Sequence, residues 1–326
     1  MTRTTPPRPL DVTAVFPELT ALARTTTRLH PRPGTPTVHE SSVAGPLLWP
    51  ADEPWPVCPD DHTSSYYRTL QSLDDVRRYR QLLDDAWARP QFTAEEHAEL
   101  DRLRAGHPSD RVDPAVPLLP IAQLYARDTP GFNGPDGCDL LQVLWCPFEH
   151  GDEALPGVQL RWRRADDVAA LLTDPPAPFL VEHDDYVPEA CVVHPEQVRE
   201  YPAPHELPGG LRERIRVWED AEGLVYQYEL GVATGWKLGG WAPWSFRDPS
   251  PEICGVCDAV MQPFLYVDSS EWDGNDSWRP LEDADEHQAD HRYPHVPTRV
   301  EIGRSYGMQI YTCPTSHDHP LSTVTQ

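Results

Sequence analysis

The chain has 326 residues and a formal charge of −25, from 52 acidic against 27 basic side chains. That balance argues against nucleic-acid backbones and anionic lipid as ligands, since both need a basic surface. A hydrophobic fraction of 39% with 11 Trp supports a buried core in one large or two ordinary domains, despite 38 Pro.

Prolines at that density disfavour long helices and favour short strands joined by turns. Residues 1–38 read as a loose Thr-, Pro- and Arg-rich flank. It carries one helix within 11–30, where Val15, Leu19, Leu22 and Ala23 share a face. A first unit spans 39–154 and holds Cys58, His62, Cys146 and His150. A helical hairpin interrupts it at 64–107, with Leu70, Val76, Tyr79, Leu82 and Leu83 at helical spacing. The second helix of that hairpin starts at Thr93-Ala94-Glu95-Glu96, which has the capping-box pattern. The unit resumes with strands at 116–125 and 140–145.

Residues 155–235 connect the units through an alternating strand at 158–164 and short helices at 165–172 and 208–222. Gly209-Gly210 reads as a turn. A second unit spans 236–320, and 321–326 form a tail. Inside the second unit, the acidic stretch 268–290 reads as a solvated loop.

The two units read as diverged copies. Leu144-Trp145-Cys146-Pro147-Phe148-Glu149-His150 answers Tyr311-Thr312-Cys313-Pro314-Thr315-Ser316-His317, with Cys-Pro-x-x-His in both. The expected architecture is therefore β-rich α+β, two copies of one unit with a helical hairpin inserted in the first.

Metal ligation gives the cysteines a role. In the second copy, Cys254-Gly255-Val256-Cys257 would supply two thiolates, Cys313 a third, and His317 an imidazole, completing a tetrahedral zinc shell. His319 is an alternative fourth ligand. In the first copy, Cys58, His62, Cys146 and His150 offer a second shell, without a Cys-x-x-Cys to anchor it. Seven cysteines, an odd number, suit ligation better than a disulfide framework. No apolar run approaches the roughly 20 residues of a membrane span. The N-terminus lacks a secretory apolar segment, so a cytoplasmic setting with reduced thiols is expected.

Four protein ligands per shell favour a closed structural site over a catalytic one. The competing enzyme reading joins His194 and Glu196 to Cys254 and Cys257, imitating the His-x-Glu and Cys-x-x-Cys of zinc nucleobase deaminases or a related hydrolase. A third reading is a metal-free duplicated scaffold. Trp236, Trp241 and Trp244 cluster around Gly239-Gly240; they read as core packing or, if exposed together, as a partner-binding surface.

Several motifs carry a family resemblance: Ala44-Gly45-Pro46, Trp55-Pro56-Val57-Cys58, Ile121-Ala122-Gln123-Leu124, Leu141-Gln142-Val143-Leu144 and the run from His194 to Pro202. In these the chain resembles the YwqG-like family of bacterial proteins. The second copy is similar to the repeated unit of the eukaryotic programmed cell death protein 2 group. There a Gly-Gly-x-Pro-x-Trp turn precedes Cys-x-x-Cys and a strand ending in Tyr-Thr-Cys; here these are Gly239 to Trp244, Cys254, Cys257 and Tyr311 to Cys313. The resemblance implies a duplicated β-rich fold and a protein-binding role. The eukaryotic members are chaperones for a ribosomal protein, some bacterial ones are suspected immunity components, and no enzymatic activity is established. The implied partner is a protein client, and the acidic charge would suit a basic one. The chain departs from the pattern where a His replaces the final Cys and where His62 replaces a knuckle Cys.

Overall fold

The computed structural model describes residues 2–62, 69–87, 89, 91–109, 112–151, 154–272, 274, 276–284 and 294–326. Its elements run α1 (Val12–Val15), β1 (Arg24–Arg28), β2 (Arg32–Pro33), β3 (Ser42–Val43), β4 (Thr69–Ser72), α2 (Leu73–Ala86), α3 (Ala94–Ala105) and β5 (His107–Pro108). They continue β6 (Leu119–Tyr125), β7 (Leu140–His150), β8 (Leu155–Arg163), β9 (Leu180–Val181), β10 (Cys191–Val192), β11 (Glu196–Glu200) and α4 (Gly209–Glu222). The chain closes with β12 (Lys237–Gly239), β13 (Gln262–Asp268), β14 (Gly307–Thr312) and β15 (Ser322–Thr325). The fold is α+β and β-rich, as the proline content and short apolar runs predict.

Two six-stranded antiparallel sheets carry the molecule. One has the order β11-β1-β12-β13-β14-β15 and the other β2-β10-β3-β6-β7-β8. Each contains a long strand pair that shifts register beside a proline: at Pro120 between β6 and β7, and at Pro263 between β13 and β14. Proline cannot donate to the ladder, so a bulge there keeps pairing on both sides. The main core draws on both sheets, with Val143, Trp145, Ile121 and Leu124 on one side and Leu265, Val267, Met308 and Ile310 on the other. A smaller sheet, β5-β4-β9, ties in the helical hairpin.

Of the hairpin expected at 64–107, residues 64–68, 88 and 90 lie outside the described set and Leu70 falls in β4; its two helices, α2 and α3, follow their sequence signals. Ser72 caps α2 by accepting from the Asp75 amide at 3.1 Å. Thr93 and Glu96 form the reciprocal capping box of α3. Leu82, Leu100 and Leu103 make its small core. Arg80 anchors the hairpin to the body, donating to the Val187 and Asp184 carbonyls at 2.7 Å each.

Six expectations need correction. Residues 11–30 form no single helix: α1 ends at Val15, Pro17 opens a short 3-10 turn, and the β-branched Thr25, Thr26 and Thr27 enter β1. The N-terminal flank is not loose. Thr5 donates through its amide to Glu196 at 2.8 Å, and Arg8 donates to the Ser277 carbonyl at 2.7 Å while stacking on Trp278. Residues 321–326 are not a tail, because β15 pairs with β14 along its whole length. In the acidic stretch, Glu271 and Asp283 are buried against Arg28, His30 and Arg32; burial pushes the Glu271 carboxyl up, but its contacts with His30, Arg28 and Arg32 hold it below its ordinary value; residues 273, 275 and 285–290 lie outside the described set. Gly209 and Gly210 open α4 instead of making a turn, and 165–172 holds only the 3-10 turn Ala165–Asp167.

Candidate metal centres

Two Cys/His clusters form, one using β7 of one six-stranded sheet and the other the residue that follows β14 of the other. Cys58, His62, Cys146 and His150 bring their ligand atoms within 4.8 Å of one another, and so do Cys254, Cys257, Cys313 and His319.

In the first cluster, Cys58 sits where residues 56–58 pair with 116–118. Its amide donates to the Val116 carbonyl at 2.8 Å, and the Leu118 amide returns to Pro56 at 3.0 Å. The helical hairpin lies between these two segments in sequence, and His62 follows closely on the first of them. Cys146 and His150 come from β7, where the ladder to β8 is interrupted between Trp145 and Glu149. The interruption turns both side chains toward Cys58. Cys146 Sγ lies 3.3 Å from His62 Nε2, and Cys58 Sγ lies 3.7 Å from His150 Nε2. His62 is held by stacking on Phe148, with centroids 4.5 Å apart and planes at 17°. His150 is held by its other nitrogen, which lies 2.7 Å from an Asp60 carboxylate oxygen. Gly157 makes room for it, since a Cβ there would sit 3.0 Å from the imidazole ring.

The second cluster is built on a tight knuckle closed by the Ile253–Val260 bridge. The Cys254 amide donates to the Ala259 carbonyl at 2.9 Å, the Asp258 amide to the Cys254 carbonyl at 3.0 Å, and Asp258 takes a left-handed φ of 56°. Cys313 follows directly on β14. His319 Nδ1 lies 3.3 Å from Cys313 Sγ and 3.4 Å from Cys254 Sγ, and the Cys257 and Cys313 sulfurs are 3.5 Å apart.

His319 replaces His317 as the fourth member. A turn at Ser316, accepting from the Asp318 and His319 amides, reverses the chain between them. His317 is left packing edge-on against Trp162, 5.1 Å between centroids.

The donor sets and distances fit a tetrahedral ion. Zinc bonds of about 2.3 Å to sulfur and 2.0 Å to nitrogen require ligand atoms roughly 3.5–3.8 Å apart. Five contacts of 3.3–3.7 Å lie near that spacing, and every ligand pair in each cluster is within 4.8 Å. Backbone amides two residues further along face the sulfurs: Asp60 for Cys58, Phe148 for Cys146, Ala259 for Cys257 and Thr315 for Cys313. Such amides favour the thiolate form that a metal needs. The bond to Cys146 holds the Cys58 thiol well below its ordinary range, while the same sharing pushes Cys146 up.

Elsewhere the sequence reading and the structure part. Trp236 is buried and donates to the Asp268 carbonyl at 3.0 Å, and Trp244 is 7% exposed, so the three tryptophans are not a shared exposed face. Burial of these large rings on both sides of the Gly239-Gly240 turn explains the cluster in the sequence. Trp241 is half-buried beneath the Arg24 guanidinium, 3.4 Å from its ring. His194 and Glu196 join neither metal-capable cluster among the described residues. Glu196 instead accepts from Thr5 and pairs with His30 at 3.2 Å.

Sequence reasoning passed over Asp60, although a carboxylate between Cys58 and His62 was there to be weighed. It also passed over the buried ion pair of Lys237, the one lysine of the chain, with Glu200 at 2.5 Å. Compared with protein-family models and with curated proteins, the chain matches no family model and no curated protein. Among the described residues no helix is long and apolar enough to cross a membrane.

Proposed function

We propose that the chain is a non-catalytic protein-binding module stabilised by two zinc ions, chaperone-like or immunity-like, acting in the cytoplasm on a basic client. One observation carries the reading: each cluster offers four protein ligands, drawn from segments far apart in sequence. A full protein shell ties strand ends together and leaves no position for a reacting water. Thiolate-rich S₂N₂ and S₃N sets suit zinc among the common divalent ions. Binding energy at such sites is folding energy, which compensates for a chain so rich in proline.

The duplication belongs to the same proposal. The proline bulges, the bridges Val57–Pro117 and Ile253–Val260, and Cys146 and Cys313 at the ends of matching ladders all support it. So does the resemblance of these motifs to the YwqG-like family. The protein-binding element is supported by Ile253, Val256 and Val260, which stand 50–61% exposed around the second knuckle. Apolar side chains grouped on one rigid turn are a feature of interaction sites.

Cobalt substitution tests the closed-shell element. Cobalt-loaded protein should show intense thiolate charge-transfer and tetrahedral d–d bands that azide leaves unchanged. Bands that shift on adding azide would reveal an exchangeable position and return the chain to the enzyme reading.

A further inference from the structure

Beside the second knuckle lies a groove of about 490 Å³ walled by Trp241, Trp244, Tyr311, Pro249, Pro251 and Met261. Two donors in its wall are unused. Tyr311 is 3% exposed and its hydroxyl has no hydrogen-bond partner among the described residues. The Trp244 indole N–H is likewise buried; it lies near the Glu206 carboxyl without closing a hydrogen bond. Buried donors left unmade are costly and uncommon, so a pair of them in one cavity wall points to an absent acceptor. Trp244 also holds a left-handed backbone, φ 43°, a strained conformation for a large aromatic residue. Strain of this kind collects where a side chain is aimed for a purpose.

The wall chemistry specifies the acceptor. Flat aromatic and proline faces suit a ligand that is itself ridged and apolar. Two buried donors suit one that offers carbonyls, and the groove's carboxylate acceptors, Glu206 and Glu252, are left for cationic side chains. A polyproline II segment has both properties: its carbonyls are fully outward, its prolines lack N–H, and aromatic-lined grooves are its usual docking surface. The rim adds charge selection. Glu206 and Glu252 line it, and Arg24, the one groove-lining guanidinium among the described residues, is stacked on Trp241. With a chain charge of −25, cationic side chains flanking the prolines are favoured. The chain's own Pro-rich N-terminus is not the occupant, because Thr4 and Arg8 are tied to Glu282 and Ser277.

We propose that this groove binds an extended, proline-containing, basic peptide segment of a partner protein. The inference rests on the protein-binding reading and names the chemistry of what is bound.

Fluorescence anisotropy on the zinc-loaded full chain tests it. The probe is a fluorescein-labelled synthetic decapeptide with two arginines followed by alternating proline and leucine. Saturable binding with a micromolar Kd is expected. Replacing the prolines with alanine, or the arginines with glutamate, should weaken it about tenfold or more. Tyr311→Phe, which deletes only the hydroxyl, should weaken it roughly five- to tenfold. Val260→Arg, at an exposed rim position, should abolish it, with zinc content and melting temperature unchanged in both variants. Absence of binding up to about 1 mM peptide would overturn the inference. So would equal affinity for the alanine peptide, or an unaffected Tyr311→Phe. Selection from a random peptide display library separates the two levels. Enriched peptides that lack proline and arginine, yet are lost with Val260→Arg, would overturn the named chemistry and leave a protein-binding groove. No enrichment at all would overturn both for this groove.

Discussion

His150 Nδ1 lies 2.7 Å from the Asp60 carboxylate, while Nε2 of the same ring faces the Cys58 sulfur at 3.7 Å. The carboxylate fixes the tautomer that presents a bare Nε2 lone pair to the cluster and raises its basicity. Asp60→Ala should therefore lower zinc affinity at the first cluster by about 10–100-fold and leave the second unchanged. Competition with a chromophoric chelator checks this as one tight and one weakened site per chain.

The turn at Ser316 sends neighbouring histidines to different surroundings, and this separates two otherwise similar substitutions. His319→Ala should cost the chain its second zinc. His317→Ala should keep both ions and lose only the packing against Trp162, about 1 kcal/mol. Metal analysis of the two purified variants, side by side, decides it. Loss of zinc from His317→Ala alone would reverse the assignment.

Lys237 and Glu200 are both fully buried and 2.5 Å apart, and Glu200 also accepts from the Ala233 and Trp241 amides. The pair pins the Trp236–Trp244 turn to β11. Gly240, at φ 79°, lies so close to the Glu200 carboxylate that a side chain there would collide with it. Lys237→Met leaves a buried carboxylate without its counter-charge and should destabilise the fold by about 3–5 kcal/mol. Adding Glu200→Gln should restore part of that loss. Urea denaturation of the single and double variants measures both effects.

Glu196 supplies a pH signature away from the metal clusters. Burial would raise its pKa, but the His30 ring and the Thr5 hydroxyl and amide outweigh burial and hold it down at about 2. A carboxylate depressed in the folded state stabilises above its unfolded value, near 4.5, and that contribution fades as pH falls toward 2. Glu196→Gln should thus cost about 2 kcal/mol at pH 7, with the gap to the parent narrowing between pH 4.5 and 2. Parallel chemical denaturation of both metal-free proteins across that range tests the sign. A gap that widens on acidification would be incompatible with it.

How far the sequence spoke depended on whether a signal was local. The capping box at Thr93 and Glu96, and the apolar spacing of Val76, Tyr79, Leu82 and Leu83, act within one or two turns and are found as read, whereas Leu70 is drawn into β4. The Cys-x-x-Cys knuckle is equally local, which is why Cys254 and Cys257 were legible. The choice between His317 and His319 was not, because it depends on Trp162, contributed by the other sheet. The helix expected in residues 11–30 failed for a related reason: its apolar spacing was real, but β11 and β12 capture Thr25 to Thr27 as a central strand. Likewise, acidic residues at 268–290 looked solvated until Arg28, His30 and Arg32, more than 200 positions away, were seen to meet Glu271 and Asp283. Charge runs report partners only when the topology that supplies them is known.

Metal content per chain tests the central claim most directly, on protein expressed with added zinc, gently desalted, and compared with Cys254→Ser and Cys146→Ser. Two closed centres predict close to two zinc ions for the parent and one for each variant, with chelation lowering the melting temperature. No zinc in the parent, together with a melting temperature indifferent to chelator, would contradict it. Cys58, Cys146, Cys254 and Cys313 would then be core thiols and nothing more, and Cys257 an exposed one.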